Sequence, residues 1–277
     1  MSAKRDIAEL LELMARLRDP QSGCPWDLRQ DFRSIAPHTL EEACEVIDAI
    51  EREDYRHLPE ELGDLLFQVV FYAQLGRERG WFDFTTIVSG LIEKLLCRHP
   101  HVFPDGTLDS RRPRQAGAPN TDTIKDTWEQ IKQRERAARG ATGPLGEIPM
   151  TLSALARAAK LQKRAARTGF DWPDWAPVPA KIREELAEVE AAAATGDAAH
   201  IEEELGDLLF ACVNLARHLG VDGDAALRGA NRKFERRFAA MLAAMDADVE
   251  AFSALSPPAK EALWLRAKQN DGADRPD

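Results

Sequence analysis

An internal repeat constrains this chain more than any other feature. Glu60-Glu61-Leu62-Gly63-Asp64-Leu65-Leu66-Phe67 recurs letter for letter at Glu203 to Phe210. Upstream, Glu41-Glu42-x-x-Glu45 recurs as Glu184-Glu185-x-x-Glu188. The steps from Glu42 to Glu45, Glu61 and Asp64 are three, sixteen and three, and those from Glu185 to Glu188, Glu204 and Asp207 are the same. Both halves continue with Lys-x-x-x-Arg (Lys94/Arg98; Lys233/Arg237) and then Trp-x-x-x-Lys (Trp128/Lys132; Trp264/Lys268). Coincidence does not produce this, so the chain reads as two homologous domains, 1–139 and 151–277. They are joined by a linker over 140–150, where Gly140, Gly143, Pro144, Gly146 and Pro149 gather.

Both halves read as helices. Ile7, Leu10, Leu11, Met14 and Leu17 make one apolar stripe, stopped by Asp19-Pro20. Thr39-x-x-Glu42 reads as a capping box opening a helix through Ile47 and Ile50. Pro59 suits the first turn of a helix reaching about Gly76, and another spans Phe84–Cys97. A breaker-rich, basic loop covers 104–120, followed by a helix capped by Thr121 or Thr123. The second half predicts helices near 152–167, 179–194, 198–219, 224–245 and 258–269, with a turn at Thr195-Gly196-Asp197. No alternating strand pattern appears, and Ala, Leu, Glu and Arg dominate while aromatics are 7%. The fold class is all-α, as two tandem helical bundles.

Charge and hydropathy then exclude several partners. The net charge of −10 lacks the basic footprint of a nucleic-acid binder. The longest uncharged run, Leu65 to Gly76, falls short of the roughly 20 residues of a membrane helix. The amino terminus reaches Glu9 and Glu12 without the apolar stretch of a secretory signal. Cys24, Cys44, Cys97 and Cys212 form no C-x-x-C and suit reduced thiols, so a cytoplasmic protein is expected.

The acidic residues carry the chemistry. Residues three or four apart share a helix face, so Glu185 and Glu188 project together from one helix and Glu204 and Asp207 from the next. The short turn between makes these helices antiparallel neighbours. Four converging carboxylates repel unless a divalent cation neutralises them or some take up protons. An oxygen-only donor set favours Mg2+, with Mn2+ as a substitute, over zinc. Acidic pairs on an Ala-rich helix are usually a solvated face, but two pairs on adjacent helices, duplicated at identical spacing, argue otherwise. Gly206 costs about 1 kcal/mol relative to Ala inside a helix. Close approach of a facing helix or a ligand would explain it, as would tight packing alone.

Lys233 and Arg237 lie one turn apart and can grip one anionic group, and Lys181 precedes Glu185 by one turn. Metal on one side and basic groups on the other suit a polyphosphate. The alternative for Asn231 to Phe238 is an amphipathic helix with its Phe residues inward. Trp264 and Lys268 can likewise be a core anchor with a snorkelling lysine. Phe170, Trp172 and Trp26 can stack on a base or close the core.

The pattern Glu-Glu-x-x-Glu followed by Glu-x-x-Asp resembles the MazG-type nucleoside triphosphate pyrophosphohydrolases of the all-α NTP pyrophosphatase superfamily. Gly23-Cys24-Pro25-Trp26-Asp27, Arg98-His99-Pro100-His101-Val102-Phe103, Gly169-Phe170-Asp171-Trp172 and Asn231 to Phe238 extend the likeness to its two-domain bacterial members over nearly the whole chain. The resemblance implies Mg2+-dependent hydrolysis of NTPs to NMP and diphosphate, broad base use in nucleotide-pool housekeeping or stress regulation, and a homodimer of interlocking helices. Glu185, Glu188, Glu204 and Asp207 match the family's metal ligands, as do Glu42, Glu45, Glu61 and Asp64. Lys181, Lys233, Arg237, Trp264 and Lys268 match its nucleotide-contacting positions. Lys181 has Pro37 or His38 at its counterpart, which favours the second half as the catalytic one. Glu184 flanks the ligand face and is the expected acceptor of the attacking water's proton, with Glu203 or a ligand as alternatives.

Three rivals remain at this stage. A ferritin-like metal site needs Glu-x-x-His pairs, and no His stands three residues after any of these glutamates. A nucleotide-sensing or partner-binding protein would bind without turnover. A narrow dUTP or dCTP hydrolase, or a histidine-pathway pyrophosphohydrolase, would differ only in substrate range.

Overall fold

The structure, a computed structural model, describes residues 5–112, 120–138, 140 and 143–273. It divides into two compact units, Met1–Arg134 and Glu135–Asp277. Among the described residues there is no strand, and no helix is long and apolar enough to cross a membrane.

Helices begin where a side chain can satisfy their first free N–H groups. In the first unit Asp6 opens α1 (Ile7–Leu17) through a reciprocal capping box with Glu9. A short α2 (Pro25–Leu28) follows. Asp31 and Ser34 form a second capping box at the head of α3 (Phe32–Glu51). The first turn of α4 (Leu58–Glu78) holds Pro59, and Asp83 caps α5 (Phe84–Arg98). Helix α6 (Thr121–Ala138) begins in this unit and ends in the second. Met14, Ile35, Val70, Phe71 and Leu75, from α1, α3 and α4, form its core.

In the second unit Ser153 caps α7 (Ala154–Ala166). Next come α8 (Val178–Thr195), opened by Pro179, and α9 (Ala198–His218), capped by Asp197. Gly196 joins them at φ 72°, a left-handed conformation that only glycine adopts without strain. The tight turn folds α8 and α9 into an antiparallel pair along their length. Asp222 caps α10 (Gly223–Ala243), and α11 (Val249–Ala254) and α12 (Pro257–Ala273) complete the unit. Helix α9 packs on α7, and α10 on α12.

Three expectations change. The helix expected to open at Thr39 begins at Phe32 instead, because Asp31 and Ser34 satisfy its end. Pro37 is accommodated inside it, and Thr39 Oγ1 bonds the Tyr72 hydroxyl at 2.8 Å. The short helices α2 and α11 were not anticipated, since neither spans enough turns to show a periodicity. Finally, the stretch read as a linker belongs to the second unit: Arg164 donates to the Gly146 carbonyl, Arg157 to Met150 Sδ at 3.0 Å, and Ile148 is buried. Residues 141 and 142 of that stretch, Pro113, Gly117 and Pro119 of the breaker-rich loop, and the first four residues of the chain lie outside the described residues.

Phe71, fully buried at the centre of the first core, gives a direct check. Phe71→Ala is expected to lower the stability of that unit by about 3–5 kcal/mol in urea unfolding. Leu13→Ala, on the exposed face of α1, is expected to cost under about 0.5 kcal/mol.

Candidate functional site

The α8–α9 hairpin brings together what the spacing predicts. Carboxylate oxygens of Glu185, Glu188 and Glu204 lie within 4.8 Å of one another, and those of Glu42, Glu45 and Glu61 do the same in the first unit. Each group pairs two glutamates one turn apart with a third from the facing helix. Asp207 and Asp64 sit one turn beyond that third residue, outside the tight trios. Asp64 is still close enough for its charge to act on Glu42.

The two trios differ electrostatically. Lys181 Nζ lies 2.7 Å from Glu185 and 2.8 Å from Glu184, so one amine ties two neighbouring carboxylates. Its bond to Glu185, which is buried, holds that carboxyl below the usual carboxylate range. Glu188, hydrogen-bonded to Glu185, partly desolvated and facing the charges of Glu185 and Glu204, is pushed upward. Glu42 is also pushed upward, first by desolvation, then by its hydrogen bond to Glu45 and by the charges of Asp64, Glu45 and Glu41. His200 Nε2 approaches Glu204 at 3.1 Å from one turn earlier on α9.

In the second trio one lysine faces three carboxylates, so the cluster is only partly compensated. The all-oxygen donor set of each trio fits a hard divalent cation better than a soft one.

Beside the second trio lies an open cavity of about 730 Å³ lined by α7, α8, α9, the 169–172 loop and Leu145. Lys181, Glu185 and Asp207 contribute to its lining, as do Gln162, Phe170, Trp172 and Asn214. Its volume falls in the range of small-molecule sites. Phe170 is 82% exposed, so it does not close a core within this unit. Asp171 anchors the loop: Arg217 grips it at 2.9 and 2.5 Å, and His218 Nε2 lies 3.1 Å away.

The other expected contacts lie elsewhere. Lys233 and Arg237 are on α10, and Trp264 and Lys268 on α12; among the described residues none of the four lines this cavity. Arg237 Nε donates to Asp271 at 2.8 Å, and its guanidinium sits 5.8 Å from the Trp264 ring centre. Arg236 shares the same Asp271 carboxylate through an Nε bond of 2.6 Å. Phe234 and Phe238 stack on each other and pack against Trp264 and Phe252 respectively, yet stay 57% and 38% exposed, so the Phe stripe is only partly turned inward. Glu184 is exposed on the Lys181 side and is neither in the trio nor in the cavity wall. In the first unit Lys132 caps the Trp128 ring at 3.9 Å, and Lys94 is exposed.

Sequence reasoning missed Gln162, Asn214, Arg217 and Asp271. Asp171, adjacent to Trp172 in a recognised motif, was the one available pointer to Arg217. A lone Gln or Asn in a helix carries no spacing signal.

With that geometry in view, the likeness of the chain to known proteins is decisive. The MazG nucleotide pyrophosphohydrolase domain matches residues 30–103 and 178–241, one match on each glutamate trio. The nucleoside triphosphate pyrophosphohydrolase of Escherichia coli K12 is 49% identical over 267 residues, covering 96% of this chain and 98% of that protein. The chain belongs to the MazG family. The Thermotoga maritima nucleoside triphosphate pyrophosphohydrolase/pyrophosphatase MazG is 40% identical over 95% of this chain and 96% of its own. Bacillus subtilis YabN is 36% identical, and this MazG-family chain spans 52% of its length.

The Arg217–Asp171 clamp makes a pH prediction. Arg217 holds Asp171 below the usual carboxylate range, so the pair stabilises the fold above the ordinary Asp pKa and loses that contribution as pH falls through the depressed value. Asp171→Asn is therefore expected to lower Tm at neutral pH. The gap to wild type should close in strong acid, as read by thermal unfolding across a pH series.

Proposed function

We propose that this chain is a Mg2+-dependent nucleoside triphosphate pyrophosphohydrolase of broad base specificity, whose second half carries the reaction. The observation behind this reading is the Glu185–Glu188–Glu204 trio, braced by Lys181, beside a cavity large enough for a nucleotide. Relatives named nucleoside triphosphate pyrophosphohydrolases support the substrate class.

Glu185, Glu188 and Glu204, with Asp207, would hold the cation. A bound Mg2+ supplies Lewis acidity, lowering the pKa of a coordinated water and drawing charge from the phosphates. The chain's own groups do the remainder. Lys181 keeps Glu185 in its anionic form and brings a positive charge to the cavity wall, where it can meet a phosphate oxygen. The water oxygen bonds to the α-phosphorus as the bridging bond to the β-phosphate breaks in line, releasing diphosphate. Glu184, bonded to the same lysine, is assigned to accept the water's proton. Lys233, Arg237, Trp264 and Lys268 are assigned to the triphosphate and base, which requires their surface to meet an α8–α9 face.

That requirement favours a homodimer. Leu205 and Leu209 on α9, with Leu186 on α8, are exposed beside the trio, and Leu62 and Leu66 repeat the pattern on α4. A Cβ added at Gly63 or Gly206 would meet nothing within 4 Å among the described residues, so neither glycine serves close packing within its own unit. Apolar, glycine-notched helix faces of this kind suit a second copy of the chain.

The halves also differ in what fills the bundle. Counting by the repeat, Gln68, Phe71 and Leu75 of α4 stand where α9 has Ala211, Asn214 and His218. Phe71 and Leu75 are fully buried core, which supports the second half as the catalytic one.

Chromatography of products from several NTPs with Mg2+ is expected to give NMP and diphosphate with no NDP. Glu204→Gln should lower kcat/KM by about 100-fold or more, with Glu61→Gln staying near wild type. Stepwise phosphate release, or equal losses in both variants, would overturn the assignment. Light scattering after size exclusion should give the mass of a dimer, and Leu209→Glu should shift it to the monomer.

A further inference from the structure

The cavity beside the second trio is larger than phosphates and a cation need, and one residue of its lining carries an unmet hydrogen bond. Gln162 on α7 lines this cavity and is 5% exposed. Its Nε2 donates to the Phe210 carbonyl of α9 at 2.8 Å. That bond fixes the orientation of the amide, leaving Oε1 as an acceptor that cannot exchange places with the nitrogen. Oε1 is buried and has no partner among the described residues. Buried acceptors without partners are rare in native proteins, because their desolvation is uncompensated. Two aromatic side chains, Phe170 and Trp172, line the same cavity, and so does Asn214.

We propose that Gln162 accepts a hydrogen bond from an N–H on the Watson–Crick edge of the substrate's base, making it the residue through which the cavity recognises a nucleobase. The inference rests on the reading of this cavity as a nucleotide site and adds to it which atom of the protein reads the base. A fixed acceptor is compatible with broad base use. Adenine and cytosine offer an exocyclic amine there, and guanine and uracil offer a ring N–H. What such a site rejects is an edge with no donor at all. The Phe170 and Trp172 rings provide apolar surface for the base faces and leave discrimination to the amide.

The test compares ATP with purine riboside triphosphate, which keeps the ring system, sugar and phosphates but has no N–H on that edge. Diphosphate release with Mg2+ is measured for the full chain, wild type and Gln162→Leu. The wild type is expected to prefer ATP by about 10-fold or more in kcat/KM, because a site built around a hydrogen bond penalises an analogue lacking it. Gln162→Leu should bring the ratio close to unity, with most of the loss falling on ATP. The wild-type comparison stands even if the variant folds poorly. Equal use of both substrates by the wild type would overturn the proposal, as would a preference that survives in Gln162→Leu. A penalty that follows dATP instead of purine riboside triphosphate would assign the acceptor to a ribose hydroxyl and also overturn it. Failure to release diphosphate from any triphosphate would overturn the nucleotide reading and this inference with it.

Discussion

The second half of this chain is organised around mutual repulsion. Glu185, Glu188 and Glu204 are brought within 4.8 Å by a hairpin whose turn and packing hold them there. Folding therefore invests in a concentration of like charge that the protein alone does not neutralise. Lys181 compensates one member, and Glu188 is pushed upward by its hydrogen bond to Glu185 and by the charges around it. A divalent cation would relieve that repulsion directly. Everything else nearby either supports the hairpin or shapes the space beside it.

The repeat explains how two such clusters arise and how they diverge. Both units keep the trio, the glycine-notched acidic motif and the antiparallel helix pair. They part company one and two turns further along the second helix of each pair. There the first unit closes its core with Phe71 and Leu75, while the second has Asn214 at a cavity wall and His218 beside the Asp171 clamp. Duplication preserved the charge arrangement more strictly than the surroundings that would give it a ligand.

Much of this was legible in the sequence because it is encoded in short-range spacing. Carboxylates three residues apart, a glycine after an Ala-rich helix and an Asp or Ser before one all act within a few residues of themselves. The start of α3 was misplaced because Thr39 and Glu42 satisfy the same local pattern as the Asp31–Ser34 box that prevails, whereas the Thr39 hydroxyl bonds the Ile35 carbonyl and Tyr72. Gln162 and Arg217 were invisible for a stronger reason. Their partners, the Phe210 carbonyl and Asp171, lie far along the chain and become neighbours only through the packing of α7 and α9. The placement of Lys233, Arg237, Trp264 and Lys268 away from the cavity within one chain was likewise beyond local spacing, since it depends on which surfaces a helix meets.

The strap preceding α7 bears on how the second unit can be isolated. Leu145 contributes to the cavity wall, the Gly146 carbonyl receives Arg164, and Met150 receives Arg157. A fragment cut at the sequence boundary, beginning at Thr151, would leave behind a piece of its own cavity wall. The tether that connects the duplicated halves has become masonry in one of them.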